Sequence, residues 1–323
     1  MASRISVALC TCDGERYLPE QLASLERQSR PPDELVVSDD GSNDGTPEIV
    51  AAFRDRAPFP VHLSVNPARL GPAGNFGRAI SLCTGDLIAL CDQDDVWLPE
   101  KLARGERALD EAPGAAVAFA DAAVVDEELR PLGYGLWDAL GFTPAEQARM
   151  REGEALPVLL RHQVVTGMTM MFRASLRPLV LPIPPSWIQD GWIALLVAAT
   201  GSLVLVAERL VLYRQHAGNR IGAARMGWLD LLRHARRPGA GAGLATDLAR
   251  FRAARERLGI AVGASVRQGA AAHLDDMIAH LEVRSGLARP RFKRLVPVLR
   301  EASTGRYGRY SRGLLSVGQD LFW

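Results

Sequence analysis

The sequence predicts an α/β fold, a mostly parallel sheet flanked by helices, followed by a helical and basic C-terminal region. Three observations carry this prediction. Apolar runs of strand length alternate with helical patterns through the first hundred residues. The connections between them are short, so the strands must be paired through helical crossovers and lie parallel. The charge balance then reverses near residue 220. The formal net charge of the 323 residues is only +1. Residues 1–219 nevertheless hold 19 Lys and Arg against 29 Asp and Glu, and residues 220–323 hold 19 against 8. A length near 150 residues per domain and this reversal suggest two regions, 1–222 and 223–323, with different tasks. The hydrophobic fraction of 48% and charged fraction of 23% exclude a disordered or collagen-like chain.

Taken in order, Ile5–Cys10 is an apolar strand, and the spacing from Leu18 to Gln28 is helical. Glu34–Ser38 forms the second strand. Gly45-Thr46-Pro47-Glu48 is a helix start, with Thr46 as the cap and Pro47 at the first helical position. Val61–Ser64 is the third strand, residues 73–83 the third helix and Asp86–Cys91 the fourth strand, after which Pro99 opens another helix. The longest uncharged stretch, Trp192 to Ala207, is interrupted by Thr200-Gly201-Ser202 and reads as helix, turn and strand. It is too short to span a bilayer. Helical stretches follow at 226–236, 244–258 and 266–286, around an Arg236–Gly243 segment with the composition of a linker.

The N-terminus enters its first strand without the long apolar stretch of a signal peptide. Cys10, Cys12, Cys83 and Cys91 lack the spacing of a zinc site and read as small strand and core residues of a reduced protein. The expected location is cytoplasmic, or peripheral on the cytoplasmic face of the inner membrane.

In a parallel sheet, ligands bind beyond the carboxyl ends of the strands. Three such ends carry acid: Thr11-Cys12-Asp13-Gly14-Glu15, Asp39-Asp40-Gly41-Ser42-Asn43-Asp44, and Asp92-Gln93-Asp94-Asp95. A single acidic turn is ordinary turn chemistry. Three at one sheet edge would repel one another unless a cation joined them. Asp92 and Asp94 supply hard oxygen ligands of the kind that hold Mg²⁺ or Mn²⁺ while leaving positions for water and phosphate oxygens. Asp95 reads equally as a supporting carboxylate or a turn residue. The chain has no phosphate-binding loop of the G-x-x-x-x-G-K-[ST] type.

The runs Cys10–Leu18, Ser38–Thr46 and Cys91–Trp97, with the later Val165–Phe172, Gln189–Trp192 and Tyr213–Asn219, resemble the family 2 glycosyltransferases. The resemblance covers about residues 4–222, and the Asp-Gln-Asp-Asp-x-Trp form is most similar to bacterial rhamnosyltransferases of O-antigen and related polysaccharides. It implies the GT-A fold and transfer of a sugar from a nucleotide-sugar with inversion. It also implies a divalent metal, and an acceptor hydroxyl on a cell-envelope glycan or a polyisoprenyl-linked carrier. A dTDP-linked rhamnose or related 6-deoxyhexose is the leading donor, a UDP-sugar the next. Carried onto this sequence, Thr11, Glu15, Asp39, Asp40, Asn75, Asp92 and Gln93 would bind the nucleotide-sugar. Asp92, Asp94 and His216 would bind the metal. Asp190 would be the general base, although a helix N-cap is its ordinary alternative. Gly167, Met168 and Trp192 would line the acceptor site, and Trp97 and Trp192 could stack on sugars. A sugar nucleotidyltransferase and an inert nucleotide-sugar-binding scaffold remain the alternatives.

For residues 223–323 the sequence leaves three readings: attachment to an anionic membrane surface, packing against the acidic region or a second subunit in a homo-oligomer, and nucleic-acid binding. The last is disfavoured by the absence of any recognisable motif.

Overall fold

A computed structural model of the chain describes residues 3–216, 240–260, 266–288 and 290–322. The boundary expected at 222/223, the helix expected at 226–236 and the Ala217-Gly218-Asn219 end of the last motif lie outside these residues.

The strands are β1 (Ile5–Thr11), β2 (Glu34–Asp39), β3 (Val61–Val65), β4 (Leu87–Asp92), β5 (Val96–Trp97), β6 (Ala115–Val125), β7 (Pro131–Gly135), β8 (Met170–Arg173) and β9 (Ser202–Arg214). The first helices are α1 (Leu18–Glu26), α2 (Thr46–Arg54), α3 (Gly71–Leu82) and α4 (Lys101–Glu111). Then come α5 (Leu136–Leu140), α6 (Pro144–Arg151), α7 (Ala155–Arg161), α8 (Arg177–Val180) and α9 (Gln189–Thr200). The C-terminal region contributes α10 (Ala240–Ile260), α11 (Ala270–Ser285), α12 (Leu295–Ser303), α13 (Arg306–Tyr310) and α14 (Leu314–Phe322).

The strands form one sheet in the order β3-β2-β1-β4-β8-β6-β9-β5, with β7 on β6. The half made of β3, β2, β1 and β4 is parallel throughout. The expected β-α-β rhythm describes this half. Beyond β4 the sheet is mixed: β8 runs antiparallel to both β4 and β6, while β6 and β9 are parallel. The sequence pattern did not announce β6, because its run Ala-Ala-Val-Ala-Phe-Ala-Asp-Ala-Ala-Val-Val is alanine-rich and buried on both faces, so it has neither alternation nor high strand propensity.

Alternation in β1 divides the core. Ile5, Val7 and Leu9 face a cluster with Leu18, Leu22 and Leu25 of α1, Phe53 of α2 and Leu102 of α4. Ala8 and Cys10 face the other cluster, with Phe76 and Ile80 of α3 and the apolar side of α9. Phe251 and Ala254 of α10 and Leu274 and Met277 of α11 join this second cluster. The Trp187 indole donates to Arg250 O at 3.0 Å and meets the Phe251 ring edge-on. The C-terminal helices α10 and α11 therefore pack on the helical layer formed by α7 and α9. Among the described residues no helix is long and apolar enough to cross a membrane.

One helix start differs from expectation. Gly45, not Thr46, caps α2, and Pro47 falls one position later. The Thr46 hydroxyl instead donates to Asp44 Oδ1 at 2.5 Å and accepts Gly14 N–H at 2.8 Å, tying the second strand's turn to the first strand's.

The start of β4 is closely packed on β1. A Cβ on Gly85 would lie 2.7 Å from Arg4 O and 2.9 Å from Ser6 N, backbone atoms that cannot step aside. Gly85→Ala should therefore cost about 1–3 kcal/mol, the usual price of overpacking. The expected reading is a lower urea midpoint with an unchanged m-value.

Candidate active site

Parallel pairing sets Thr11 beside Asp39 and Cys10 beside Asp92, so the three acidic strand ends finish in one row. Asp39 is fully buried. Its carboxylate accepts the Thr11 hydroxyl at 2.7 Å, Ser42 N–H at 2.9 Å and the Ser42 hydroxyl at 2.5 Å. Asp40 turns the other way and accepts Leu70 N–H at 2.6 Å, Gly71 N–H at 2.9 Å and Asn66 Nδ2 at 3.1 Å. It thereby satisfies orphan amides at the start of α3. Asn75 on that helix donates to Ser38 O at 2.9 Å and Thr11 O at 3.3 Å, and accepts Asn66 Nδ2 at 2.9 Å.

Thr11, Asp39, Asp40 and Asn75 are thus brought together, but chiefly as a buried frame that bonds its own chain. Asp40 retains about one of a carboxylate's four lone-pair sites for a ligand. Glu15 is the exposed member of the set; its carboxylate accepts Gly45 N–H at 2.8 Å. Two residues that motif reading passed over belong here. Asn66, directly after β3, joins Asp40 to Asn75. Arg69 sets a guanidinium 2.5 Å from Asp13 at the rim. The only advance signal was a polar residue past a strand end.

At the end of β4, Gln93 pairs its amide with the backbone of Cys12, accepting N–H at 2.8 Å and donating to C=O at 3.1 Å. It lies directly on Gly14, where a Cβ would come within 2.3 Å of Gln93 Oε1. Gln93 therefore locks two strand ends together. Asp95 points inward. It is 1% exposed, accepts Arg214 N–H at 3.2 Å through Oδ1, and its Oδ2 has no hydrogen-bond partner among the described residues. Burial, then the charges of Asp94 and Asp92, push its pKa well up. Asp95 is thus a buried carboxylate beneath the site rather than a solvated turn residue.

Arg214 is the residue whose importance the sequence concealed. Its side chain is 2% exposed, at the end of β9. It donates to Asp94 O at 2.9 Å, to Glu127 O and to the Glu20 carboxylate, and stacks 4.6 Å over the Tyr17 ring. Its guanidinium fastens α1, the β4–β5 turn and the 126–130 loop to one another. Two residues on, His216 Nε2 lies 2.9 Å from Asp94 Oδ2, with its ring 4.7 Å from that of Tyr17.

Asp92 and Asp190 are the reactive-looking carboxylates. Asp92 is half-buried and its side chain takes no hydrogen bond from a described residue. Burial first, then Asp94 and Asp190, raise its pKa. Asp190 stands in the first turn of α9, where Ile188 is the N-cap, so Asp190 is not the cap. Its carboxylate accepts Gly167 N–H at 2.9 Å and Gly191 N–H at 2.6 Å. Burial raises its pKa to about 6, against the lowering effect of those two amides.

Two expected acceptor contacts are corrected. Trp192 is 1% exposed, with its indole N–H on Val180 O at 2.8 Å, so no ring face is open to a sugar. Met168 is 4% exposed and packs in the core. Trp97 is likewise buried, under the Lys101 ammonium at 3.4 Å. Gly167 remains at the site, holding Asp190.

The fit of a divalent cation follows from the donor set. Clustered, half-desolvated carboxylates at Asp92 and Asp94 are hard oxygen donors whose mutual repulsion a cation would offset. Among the described residues no group of three or more His, Cys, Asp or Glu side chains is placed to hold a metal ion, so Asp92, Asp94 and His216 do not form a gathered ligand set.

The model of "Glycosyl transferase family 2" matches residues 6–177. An uncharacterized protein of Mycobacterium tuberculosis is 28% identical over 216 residues, 66% of this chain and 59% of that protein, so the chain spans less than two thirds of its length. The dTDP-rhamnosyl transferase RfbG of Shigella flexneri is 34% identical over 98 residues, 29% of this chain and 34% of that protein. The UDP-Glc:alpha-D-GlcNAc-diphosphoundecaprenol beta-1,3-glucosyltransferase WfgD of Escherichia coli is 31% identical over 98 residues, 30% of this chain and 38% of that protein. Among solved structures, S. aureus TarS 1-349 in complex with UDP-GlcNAc superposes with a TM-score of 0.60 at 16% identity, covering 98% of this chain and 89% of that one. The mannosyltransferase PcManGT of Pyrobaculum calidifontis, in complex with GDP-Man and Mn²⁺, gives 0.54 at 18% identity, covering 99% and 81%. These likenesses establish the GT-A fold. The family match extends over more than half of the chain, across the three acidic strand ends and the Gly167 turn. The chain therefore belongs to glycosyl transferase family 2.

Proposed function

We propose that this chain transfers a sugar, with inversion, from a nucleotide-diphosphate donor to a hydroxyl of a cell-envelope glycan or a polyisoprenyl-linked carrier. The observation that carries the reading is Asp190: a carboxylate with raised pKa, oriented by two backbone amides, within electrostatic reach of Asp92 at the end of β4. The leading donor is dTDP-rhamnose or a similar 6-deoxyhexose, supported by the named activity of the Shigella relative, with a UDP-sugar next. The lipid-linked acceptor is supported by the diphosphoundecaprenol in the name of the Escherichia coli relative.

In this reading the nucleoside lies against the frame built by Thr11, Asp39, Asp40 and Asn75, with Glu15 at its open side. Asp190 accepts the acceptor hydroxyl's proton as that oxygen bonds to the anomeric carbon, and the bond from that carbon to the diphosphate oxygen breaks on the opposite face. The two amides on Asp190 hold its carboxylate in one orientation while it remains ionisable. Asp92, Asp94 and His216 would hold Mg²⁺ or Mn²⁺. Such an ion supplies Lewis-acid stabilisation of the departing diphosphate. Residues 1–222 constitute the catalytic unit and residues 223–323 an accessory helical module.

Three outcomes are expected. Asp190→Asn should keep donor binding, measured as thermal stabilisation by nucleotide-sugar, and lose transfer by about 10²–10⁴-fold, the usual contribution of a positioned base. Transfer at the normal rate would overturn the assignment of the base. Asp94→Ala should lose the Mn²⁺-dependent part of that stabilisation; an undiminished Mn²⁺ effect would remove Asp94 from the ligand set. A base acts only when ionised, so kcat/KM should rise with pH through about 6 and level off above it, following Asp190. A profile flat from pH 5 to 8 would be incompatible with Asp190 as base.

A further inference from the structure

Helix α14 is amphipathic in the reverse sense, and α12 carries an exposed apolar stripe beside it. On α14 the buried residues are polar, Ser316 and Asp320, while Leu314 is 88% and Leu315 62% exposed. Asp320 is held inward by Arg284 Nε at 2.7 Å and by the Tyr307 hydroxyl at 2.7 Å, so this rotation of the helix is fixed by a charge-assisted bond. On α12 the buried residues are Val298 and Glu301. Glu301 lies 2.7 Å from His280 Nδ1, and Leu295, Val296 and Leu299 of the helix, with Phe292 in the 3-10 turn before it, are exposed. Phe292 is 80% exposed and Val296 71%. Leaving such a stripe in water is costly, at about 25 cal/mol per Å² of apolar surface.

The charge around this surface selects the occupant. Residues 290–322 contain two acids, Glu301 and Asp320, and both are buried and paired. Arg291, Lys293, Arg300, Arg309 and Arg312 are exposed. Among the described residues only Arg309 of these five has an ion-pair partner, Asp276. Within residues 290–322 the apolar stripe is therefore accompanied by exposed basic residues and no exposed acid. A second copy of the same face would oppose like charges, which is unfavourable. An anionic bilayer meets both demands, taking apolar side chains at the acyl boundary and basic ones at its phosphates.

We propose that α12 and α14 dock this protein on an anionic lipid bilayer. Phe292, Val296, Leu299, Leu314 and Leu315 enter the headgroup–acyl boundary, and Arg291, Lys293, Arg300 and Arg312 engage lipid phosphates. The inference is independent of the glycosyl-transfer reading, because no residue of this surface belongs to the site at β1, β2 and β4.

The test is co-sedimentation of the full chain with phosphatidylcholine vesicles, with and without phosphatidylglycerol. The chain should bind only the vesicles containing phosphatidylglycerol, and less as salt rises. Each of Arg300→Gln and Arg312→Gln should lower the partition coefficient about fivefold, corresponding to about 1 kcal/mol per basic residue. Leu314→Ser with Leu315→Ser should lower it at least about tenfold without changing the melting temperature, since both side chains are exposed. Asp190→Asn should bind the same vesicles as the wild type, separating docking from catalysis. Equal binding to both vesicle types, no binding to either, or undiminished binding by the variants would overturn the proposal. So would a concentration-dependent dimer that Leu314→Ser dissolves.

Discussion

The rest of the molecule depends on the parallel register of β1 with β2 and β4. That register brings Thr11, Asp39 and Asp92 to one edge, and with them a concentration of carboxylate that no isolated loop would tolerate. The repulsion is managed in two ways. Asp39 and Asp40 accept hydrogen bonds from the surrounding turns, which makes them part of the scaffold. Asp92 and Asp94 receive less, and buried Asp95 has one oxygen without a partner among the described residues. The unsatisfied electrostatics therefore accumulate at the end of β4. There a divalent ion and a diphosphate would have the most to offset, which is the physical basis of the proposed mechanism.

Arg214 and Gln93 show what it takes to hold such an edge in place. Gln93 ties β4 to β1 through the backbone of Cys12, and Gly14 provides the space for that contact. Arg214 reaches from the far side of the sheet to the carbonyl of Asp94 and to two other segments, the start of α1 and the 126–130 loop. A single buried guanidinium suits this task, because its five donors lie in a rigid plane and can serve several acceptors at once. Its charge also offsets part of the acid beside it. The same logic recurs in the C-terminal region, where Arg284 holds Asp320 inward and so decides which face of α14 meets solvent.

The parallel half of the fold was legible because its strands alternate or run continuously apolar and are followed by helices of 3.6-residue period. The mixed half was not. β6 is written mostly in alanine, and β8 is four residues long, so neither carries a periodic signal. The acidic strand ends and Asp190 were legible as residue types in motifs, and the structure sets Asp190 beside Gly167. The roles of Trp192 and Met168 were misjudged, since an aromatic or Met near a helix start gives no indication of which way it points. Both turn into the core. Asn66 was passed over, and Arg214 stood in a motif without a role, because their partners, Asp40 and Asn75 for one, Glu20, Glu127 and Asp94 for the other, are distant in the chain.

The sequence by itself determined the α/β class, the family, the acidic strand ends and the opposite charges of the two regions, because these follow from local period, motif and composition. Only the tertiary structure decided which carboxylates are scaffold and which stay reactive. It alone decided which aromatics are core, and that α12 and α14 turn apolar side chains outward. Burial and hydrogen-bond satisfaction belong to pairs of residues far apart in sequence, and no local pattern encodes them.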